Sequence, residues 1–404
     1  MLCCGLNLGI DRPSQPMAVY MKVSISYRII FMFRCGMSLG VDRPGQPMAD
    51  IRKDSGLMES QRVITSRNSQ MLSITLNRPN VINSLDVEMI RLIQECLDEA
   101  ESSPSVRLVL INGTGDKGFC AGGDVEAIYN AVKQGDPDRG MVFFREEYDL
   151  DLRIFKFPKP VIVLAHGITM GGGLGLAAGA DMVVSTEKTV MAMPETRIGF
   201  FPDVGATGWL FSKCPAGYPE FIGLTGYRLK GPECRRLGLA SHMVIDDMRL
   251  EFIKDLEQLS EKLPDDRSKA VQVLSSAFKS LRDNKYISNL EMDEWVRTCF
   301  AGKRSVNEIL SLLSECSQHK ELSQASLTKL SEKSPTSLAL TLSLLRSNEK
   351  RAMEDVYRKD LKAVRFMITH PDYAEGVRAQ LVDKDKNPVW QPGTIDETSL
   401  PGFL

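Results

Sequence analysis

The stretch VIVLAHGITMGGGLGLAA, residues 161–178, decides the fold. Its first five residues are a continuous apolar run, as expected of a parallel strand that is buried on both faces. Three consecutive glycines, residues 171–173, then precede small apolar residues typical of a helix start. Glycines at a helix N-terminus let a ligand approach bare backbone N–H groups, where the helix dipole is positive. The stretch therefore predicts α/β architecture with N–H donors at a strand-to-helix junction.

The glycine spacing indicates which anion these donors would bind. Gly171, Gly173 and Gly175 do not fit the G-x-G-x-x-G fingerprint of dinucleotide-binding folds. An oxyanion is therefore a better candidate than a phosphate. Close packing between helix and strand explains Gly172 and Gly175 equally well.

A second glycine turn lies earlier in the chain. Residues 107–114, RLVLINGT, read as another buried strand, and FCAGGD follows at residues 119–124. Gly122 and Gly123 again offer backbone N–H donors before a helix. Two such turns could place two N–H groups on one oxygen atom.

The segment MAMPETRIGFFPDVG, residues 191–205, carries two acids, Glu195 and Asp203. In an extended strand they would lie about 26 Å apart, but Gly199 and Pro202 favour a turn between them. Both acids could then reach one apolar pocket, where a carboxyl group can hold a proton near neutral pH. Such a pair can activate water or attack an electrophile, whereas a solvated surface turn is the simpler alternative.

These motifs are accompanied by four others along residues 63–390. The others are ITLNRPNVINSL at 74–85, FFREEY at 143–148, SPTSL at 334–338 and EGVRAQLVDKDKNPVW at 375–390. Together they resemble the crotonase (enoyl-CoA hydratase/isomerase) superfamily, and more narrowly its 3-hydroxyisobutyryl-CoA hydrolase branch. The resemblance implies a spiral of ββα units, which the hydrophobic pattern alone does not predict.

The resemblance also implies roles for five residues. The backbone N–H groups of Gly123 and Gly172 would form an oxyanion hole for an acyl-CoA thioester, and Glu195 and Asp203 would be the catalytic acids. Together with Gly172, these two acids and Glu147 of the FREEY motif would also contact the substrate. Without the resemblance, a solvated helix acid explains Glu147 equally well.

One departure from the superfamily separates hydrolase from hydratase chemistry. Hydratases carry a glutamate three residues after the middle glycine of the triplet, where this chain has Gly175. The hydrolase branch instead has an aspartate after its Phe-Pro step, and Asp203 occupies that place. The implied reaction converts 3-hydroxyisobutyryl-CoA and water to 3-hydroxyisobutyrate and CoA in valine breakdown. Glu195 would attack the carbonyl or act as general base, while Asp203 would orient Glu195 or the water, or bind the 3-hydroxyl group.

Two other functions are also compatible with the sequence. Proteins similar to this branch serve as structural components of mitochondrial ribosomes in some lineages, and that role would not need the acid pair. Isomerisation of an enoyl-CoA, with Glu195 alone, is the other. One G-x-S-x-G match, GMSLG at residues 36–40, lies in the irregular N-terminal segment rather than between a predicted strand and helix, and no G-x-x-x-x-G-K-[ST] loop is present. A serine hydrolase triad and a P-loop are therefore not expected.

Composition frames the expected partners and compartment. The chain is 43% hydrophobic and 25% charged, as is ordinary for soluble globular proteins, and its net charge of −2 gives no basic field for nucleic acid. Nine cysteines without disulfide or metal spacing indicate reduced thiols in an intracellular protein. We expect an acyl-CoA substrate, no membrane, no metal, and no cofactor beyond the CoA of the substrate. The superfamily often forms trimers or hexamers, so a homo-oligomer is one expected assembly.

The chain divides into three predicted regions. Residues 1–60 are irregular and repeat one motif, CGLNLGIDRPSQPMA at 4–18 and CGMSLGVDRPGQPMA at 35–49. Their low acid content is transit-like and favours a mitochondrial location over a cytosolic or peroxisomal one, although an imperfect gene model explains the duplication equally well. Residues 61–265 alternate strands and helices and form the predicted acyl-CoA-binding catalytic core. Residues 266–404 are predicted to be a helical region that packs on the core, with helix starts at Ser305 and Ser334.

Overall fold

The computed structural model of the chain describes residues 61–282 and 289–402. The predicted irregular segment, residues 1–60, lies outside the described residues.

The strands form two sheets. They are β1 Val63–Asn68, β2 Met71–Leu76, β3 Leu108–Gly113, β4 Gly118–Cys120, β5 Val161–Ala165, β6 Ile168–Met170, β7 Met182–Thr186, β8 Val190–Ala192, β9 Leu229–Lys230 and β10 His242–Val244. The larger sheet has the order β1-β2-β3-β5-β7-β10 and the smaller one has the order β4-β6-β8-β9. Pairing is parallel except at β1 and β9, each of which runs antiparallel to its neighbour.

Consecutive strand pairs build a spiral. Each of the pairs β3/β4, β5/β6 and β7/β8 contributes its first strand to the larger sheet and its second strand to the smaller one. Helices follow each pair before the chain enters the next. The fold expected from the resemblance, a spiral of ββα units, is therefore confirmed.

The apolar runs in β3 and β5 are explained by cores on both faces of the larger sheet. Val161 and Val163 of β5 pack into one hydrophobic cluster, whereas Ile162 and Leu164 pack into another. Successive side chains of a strand point to opposite faces, so a strand between two cores must be apolar at every position.

Helices surround the two sheets. In the first part of the chain they are α1 Val87–Ser102, α2 Val125–Lys133, α3 Pro137–Lys156, α4 Gly172–Ala178, α5 Ala206–Lys213, α6 Tyr218–Thr225, α7 Pro232–Arg236 and α8 Arg249–Ser260. Further along they are α9 Arg267–Ala277, α10 Lys279–Arg282, α11 Leu290–Phe300, α12 Val306–Glu315, α13 Lys320–Ser331, α14 Pro335–Asn348, α15 Met353–Thr369 and α16 Pro371–Val377. None of these helices, within the described ranges, combines the length and apolar character needed to cross a membrane.

The helices after residue 266 share a hydrophobic cluster with the strands. Leu340 of α14, Val364 of α15 and Tyr373 of α16 belong to the same hydrophobic cluster as the β5 valines. Two predicted helix starts are confirmed: Ser305 and Ser334 are N-caps whose hydroxyl groups accept hydrogen bonds from backbone N–H groups of the first turn. The exact boundary between core and helical region stays a prediction.

Candidate active site

The two glycine turns meet at one place. Strands β4 and β6 pair side by side, so the turns that follow them are neighbours in space. A side chain at position 122 would begin 3.6 Å from the backbone nitrogen of Gly172, and one at position 171 would begin 3.7 Å from Cα of Gly122. Gly122 and Gly171 have φ values of 110° and 50°, which favour glycine. The juxtaposition expected from the sequence is therefore present.

Backbone N–H groups are available where the turns meet. Gly172 is the first residue of α4, so its N–H has no partner within the helix. Among the described residues, no carbonyl oxygen accepts a hydrogen bond from the N–H of Gly123 or Gly172. Two unpaired donors at adjacent turns can stabilise a carbonyl oxygen that gains negative charge.

Glu195 and Asp203 are both buried, with 7% and 5% of their surfaces exposed. Glu195 begins a 3₁₀ turn, Glu195–Ile198, and Gly199 reverses the chain with a φ of 68°. A side chain at position 171 would begin 2.9 Å from Oε1 of Glu195, so this acid lies against the glycine triplet. The hydroxyl group of Tyr148 donates to Oδ2 of Asp203 at 2.7 Å. The solvated-turn alternative is therefore wrong.

The pair can hold or take a proton near neutral pH. Burial raises the pKa of Glu195 well above its usual value, and the charge of Asp203 raises it further. Burial also raises the pKa of Asp203 to about 7, although the hydrogen bond from Tyr148 acts in the opposite direction. Such a pair can accept a proton from water and release it again in the physiological range.

Glu147 points into the same region from α3. Only 2% of its surface is exposed, so it is not a solvated helix acid. Its Oε1 occupies the space where a side chain on Gly172 would begin. Burial raises its pKa well above the usual value, and the charges of three nearby acids, Asp203 first, raise it further. Its neighbour Glu146 turns away and pairs with Arg91 near the surface.

Sequence reasoning missed four side chains of this region. These are Tyr148, Asp151, Tyr357 and Asp360. Asp151 lies one helical turn after Glu147, so the i, i+4 spacing on α3 could have indicated it. Tyr357 and Asp360 lie on α15, more than 150 residues after Asp203, and no local pattern connects them to the site.

Asp151 fills the space beside Gly175. A side chain at position 175 would begin 2.5 Å from Oδ2 of Asp151. Asp360 contacts the loop of residues 203–205, where its Oδ2 accepts from the N–H of Gly205 at 3.0 Å. Acids from α3 and α15 therefore approach the loop 203–205 from two directions.

Aromatic rings make the apolar part of the site. Phe144 of α3 stacks on Phe200 with ring centroids 5.5 Å apart, and Phe200 also packs against Phe201 and Tyr373. Phe143 lies beneath Gly123, because a side chain there would begin 2.7 Å from its ring. The apolar pocket expected near Glu195 and Asp203 is thus formed by Phe200 and Phe201 together with rings of α3 and α16.

Two other polar residues of the quoted motifs have structural roles. His166 lies at the end of β5, where its Nε2 is 2.8 Å from the carbonyl oxygen of Gly115. Arg378 forms salt bridges with Glu375 and Asp383, at 2.8 and 2.6 Å. In the part of the chain that the structure describes, no three His, Cys, Asp or Glu side chains are arranged to hold a metal ion.

Fold and site together define a class of protein. The family model for enoyl-CoA hydratase/isomerase matches residues 71–400, and the chain belongs to that family. Among solved structures, it resembles a carnitinyl-CoA dehydratase from Mycobacterium thermoresistibile, with 33% identity and a TM-score of 0.73 over 84% of this chain and 94% of the other. An enoyl-CoA hydratase from Rhodobacter sphaeroides 2.4.1 gives 30% identity and a TM-score of 0.74 over 84% and 95%.

Sequence relatives fall in a narrower group. The chain is 38% identical over 326 residues to the protein called 3-hydroxyisobutyryl-CoA hydrolase, mitochondrial, of Gallus gallus. It is 37% identical over 326 residues to the protein of the same name in Homo sapiens. Each alignment covers 81% of this chain and 83% of the relative.

Proposed function

We propose that this protein is a mitochondrial acyl-CoA thioester hydrolase and that its substrate is 3-hydroxyisobutyryl-CoA. The observation that carries the proposal is the buried pair Glu195 and Asp203 beside the unpaired N–H groups of Gly123 and Gly172. Gly175 provides no acid where the hydratases of the superfamily carry one. The relatives named as mitochondrial hydrolases support both the reaction and the compartment.

The oxyanion hole would act on the thioester carbonyl. As a nucleophile approaches the carbonyl carbon, negative charge grows on the oxygen, and the N–H groups of Gly123 and Gly172 stabilise that charge. Because these donors are fixed by the two glycine turns, they stabilise the transition state more than the ground state. Loss of one such donor typically raises the barrier by about 2.7–4 kcal/mol.

Glu195 would begin the reaction by one of two routes. As a nucleophile, its carboxylate adds to the carbonyl carbon, the C–S bond breaks, CoA leaves as thiolate, and water then cleaves the mixed anhydride. As a general base, it takes a proton from a water whose oxygen adds to the carbonyl carbon before the C–S bond breaks. In both routes Asp203 holds Glu195 or the water in position, and Glu147 contacts the substrate.

The proposal also includes the cofactor requirement and the oligomeric state. We expect no cofactor beyond the CoA of the substrate, since Glu195 supplies a proton acceptor and the backbone N–H groups of Gly123 and Gly172 supply the oxyanion donors. A homo-oligomer stays a prediction based on the resemblance to the superfamily.

The test is the release of free CoA thiol from 3-hydroxyisobutyryl-CoA. We expect Glu195→Gln and Asp203→Asn each to lower kcat by about 10²–10⁴-fold, the usual contribution of a positioned acid or base. Glu146→Gln is the matched control, because this acid lies next to Glu147 on α3 but faces Arg91.

Three outcomes would contradict the proposal. A folded protein that binds CoA but releases no thiol from this or related short acyl-CoA esters is not the hydrolase. Co-sedimentation of such a protein with mitochondrial ribosomal particles would support the structural role instead. Formation of a rearranged enoyl-CoA without thiol release, retained in Asp203→Ala, would support isomerisation.

A further inference from the structure

Buried polar atoms without partners lie beside the candidate active site. One carboxyl oxygen each of Glu147 and Glu195 is among them, and two further groups belong to residues with no role assigned above. Both carboxyl oxygens of Asp151 and the hydroxyl group of Tyr357 have no hydrogen-bond partner within the described residues. Asp151 has no exposed surface and Tyr357 has 3%. Buried polar atoms in proteins are nearly always paired, so two unpaired groups in one region require an explanation.

The two groups flank the loop that carries Asp203. Asp151 lies between α3 and α4, where a side chain on Gly175 would begin 2.5 Å from its Oδ2 and 2.9 Å from Cβ of Val204. Tyr357 lies on α15, which packs along α3. A side chain on Gly205 would begin 2.9 Å from Cζ of Tyr357. Val204 and Gly205, the two residues that follow Asp203, thus each lie near one of the two groups.

Neighbouring polar groups are already engaged. Asp203 accepts from the hydroxyl group of Tyr148 and from backbone N–H groups, including that of Val204. Asp360 accepts from the N–H of Gly205 at 3.0 Å and from the hydroxyl group of Thr207 at 3.5 Å. Apart from Glu147 and Glu195, which have the roles proposed above, the capacity for new hydrogen bonds beside residues 203–205 lies with Asp151 and Tyr357.

Asp151 and Tyr357 have the hydrogen-bonding groups needed to bind an alcohol. An alcohol both donates and accepts a hydrogen bond, and a protonated carboxyl group and a phenol can each do the same. Burial and the charge of Asp203 raise the pKa of Asp151 well above its usual value, which favours the protonated form of its carboxyl group. A hydrocarbon chain in the same place would leave both groups unpaired, and such sites reject substrates that lack the hydroxyl group.

We propose that Asp151 and Tyr357 bind the hydroxyl group of the substrate's acyl chain and so select hydroxyacyl thioesters over plain acyl thioesters. The proposal rests on the hydrolase function above and names the residues that define its substrate class. It assigns the 3-hydroxyl group to a pair of side chains distinct from Asp203, which stays free to act on Glu195 or the water.

The experiment compares two esters that differ only in the hydroxyl group. Thiol release gives kcat/KM for 3-hydroxyisobutyryl-CoA and isobutyryl-CoA, and inhibition by isobutyryl-CoA gives its affinity where its hydrolysis is slow. Asp151→Leu and Tyr357→Phe remove the hydrogen-bonding groups and keep similar shapes. Asp151→Asn keeps one donor and one acceptor, and Asp149→Asn, on the exposed face of the same helix, is the matched control.

We expect Asp151→Leu and Tyr357→Phe each to lower the preference for the hydroxylated ester by about tenfold, as the loss of one hydrogen bond predicts. Asp151→Asn should keep most of the preference, and Asp149→Asn all of it. An equal loss on both esters, or an unchanged preference in folded Tyr357→Phe, would overturn the proposal. If Asp151→Leu does not fold, Tyr357→Phe and Asp151→Asn decide.

The wild-type protein separates this proposal from the function on which it rests. Hydrolysis of both esters with equal kcat/KM overturns the hydroxyl site and leaves the hydrolase intact. Hydrolysis of neither ester overturns both.

Discussion

Four carboxyl groups share one buried region at the N-terminus of α4, and the charge of Asp203 raises the pKa of Glu147, Asp151 and Glu195. Removal from water disfavours the ionised form of each, and repulsion between them adds to this effect. The native protein therefore holds protons that the unfolded chain would release. This property is useful for proton transfer, but it reduces stability at higher pH.

The raised pKa of Glu147 makes the stability of the protein depend on pH. An unfolded Glu loses its proton near pH 4.3, whereas Glu147 in the native protein keeps it to a much higher pH. Stability therefore falls as pH rises from about 4 through the native pKa. We expect Glu147→Gln to be more stable than wild type by at least about 1 kcal/mol at pH 8, the equivalent of roughly one pKa unit, and to show little gain at pH 4.

Denaturant unfolding at both pH values would measure this difference. Glu146→Gln is the control, because this acid is paired with Arg91 near the surface and should show no gain that grows with pH. A gain for Glu147→Gln that is equal at pH 4 and pH 8 would mean that the acid is not held protonated.

Gly172 has no space for a side chain. A Cβ atom at this position would overlap with Oε1 of Glu147 and lie 3.4 Å from Cδ1 of Leu85. Gly172→Ala must therefore displace either Glu147 or the start of α4, which carries the oxyanion N–H. We expect kcat for thiol release to fall by about 10²–10³-fold, the effect of losing one oxyanion donor.

The matched control is Gly223→Ala in α6. A Cβ atom there would meet nothing closer than 3.5 Å, so the change introduces no clash. Alanine is favoured over glycine inside a helix by up to about 1 kcal/mol, so this variant should keep its activity and unfold at a slightly higher temperature. Full activity in Gly172→Ala would show that its N–H does not contact the reacting oxygen.

At the scale of elements, the start of α14 connects the helical region to the catalytic loop. Ser334 is the N-cap of α14, where its Oγ accepts from the N–H of Ser337 at 3.0 Å and donates to the buried carboxylate of Asp372 in α16. The carbonyl oxygen of Asp372 in turn lies so close to Gly199 that no side chain would fit there. One hydroxyl group thus fixes two helices behind the Glu195 turn.

We expect Ser334→Ala to lower the free energy of unfolding by about 2–3 kcal/mol. The loss combines a helix cap, worth about 1 kcal/mol, with a buried carboxylate deprived of one donor. Ser305→Ala removes the exposed N-cap of α12 and should cost only about 1 kcal/mol. Equal losses in the two variants, measured by denaturant unfolding, would mean that the bond to Asp372 adds nothing.

In the whole molecule, a buried ion pair joins the helical region to the sheet-containing core. Arg346 of α14 donates to the buried carboxylate of Glu220 in α6, which also accepts from the N–H of Gly302 at 2.9 Å. Only 1% of the Glu220 side chain is exposed. A buried carboxylate that loses its cation has no water to replace it.

We therefore expect Arg346→Met to cost about 3–5 kcal/mol of stability, and Arg346→Met with Glu220→Gln to recover a large part of that loss. Arg358→Met is the control, because Arg358 pairs with Asp355 at the surface and such pairs contribute about 0–1 kcal/mol. Denaturant unfolding of wild type, Arg346→Met, Glu220→Gln and the double variant would give the coupling energy. A double variant as unstable as Arg346→Met alone would contradict the explanation.

The sequence by itself determined the local features. The apolar run of β5 predicted a buried strand because every position of a strand between two cores must be apolar, and the glycines predicted tight turns with free N–H groups. The acids Glu195 and Asp203 were predicted as a pair because the turn residues that bring them together lie between them. The ββα spiral followed from a resemblance, since periodicity describes each strand but not the sheet it joins.

Only the tertiary structure decided which distant side chains complete the site. Tyr148 and Asp151 lie on α3, about 50 residues before the catalytic loop, and Tyr357 and Asp360 lie on α15, about 150 residues after it. In the sequence, Asp151 is one acid of a charged helix and Tyr357 is one aromatic residue of another. Their neighbours are set by the packing of α3 against α15, and that contact joins residues too far apart for any local pattern to predict.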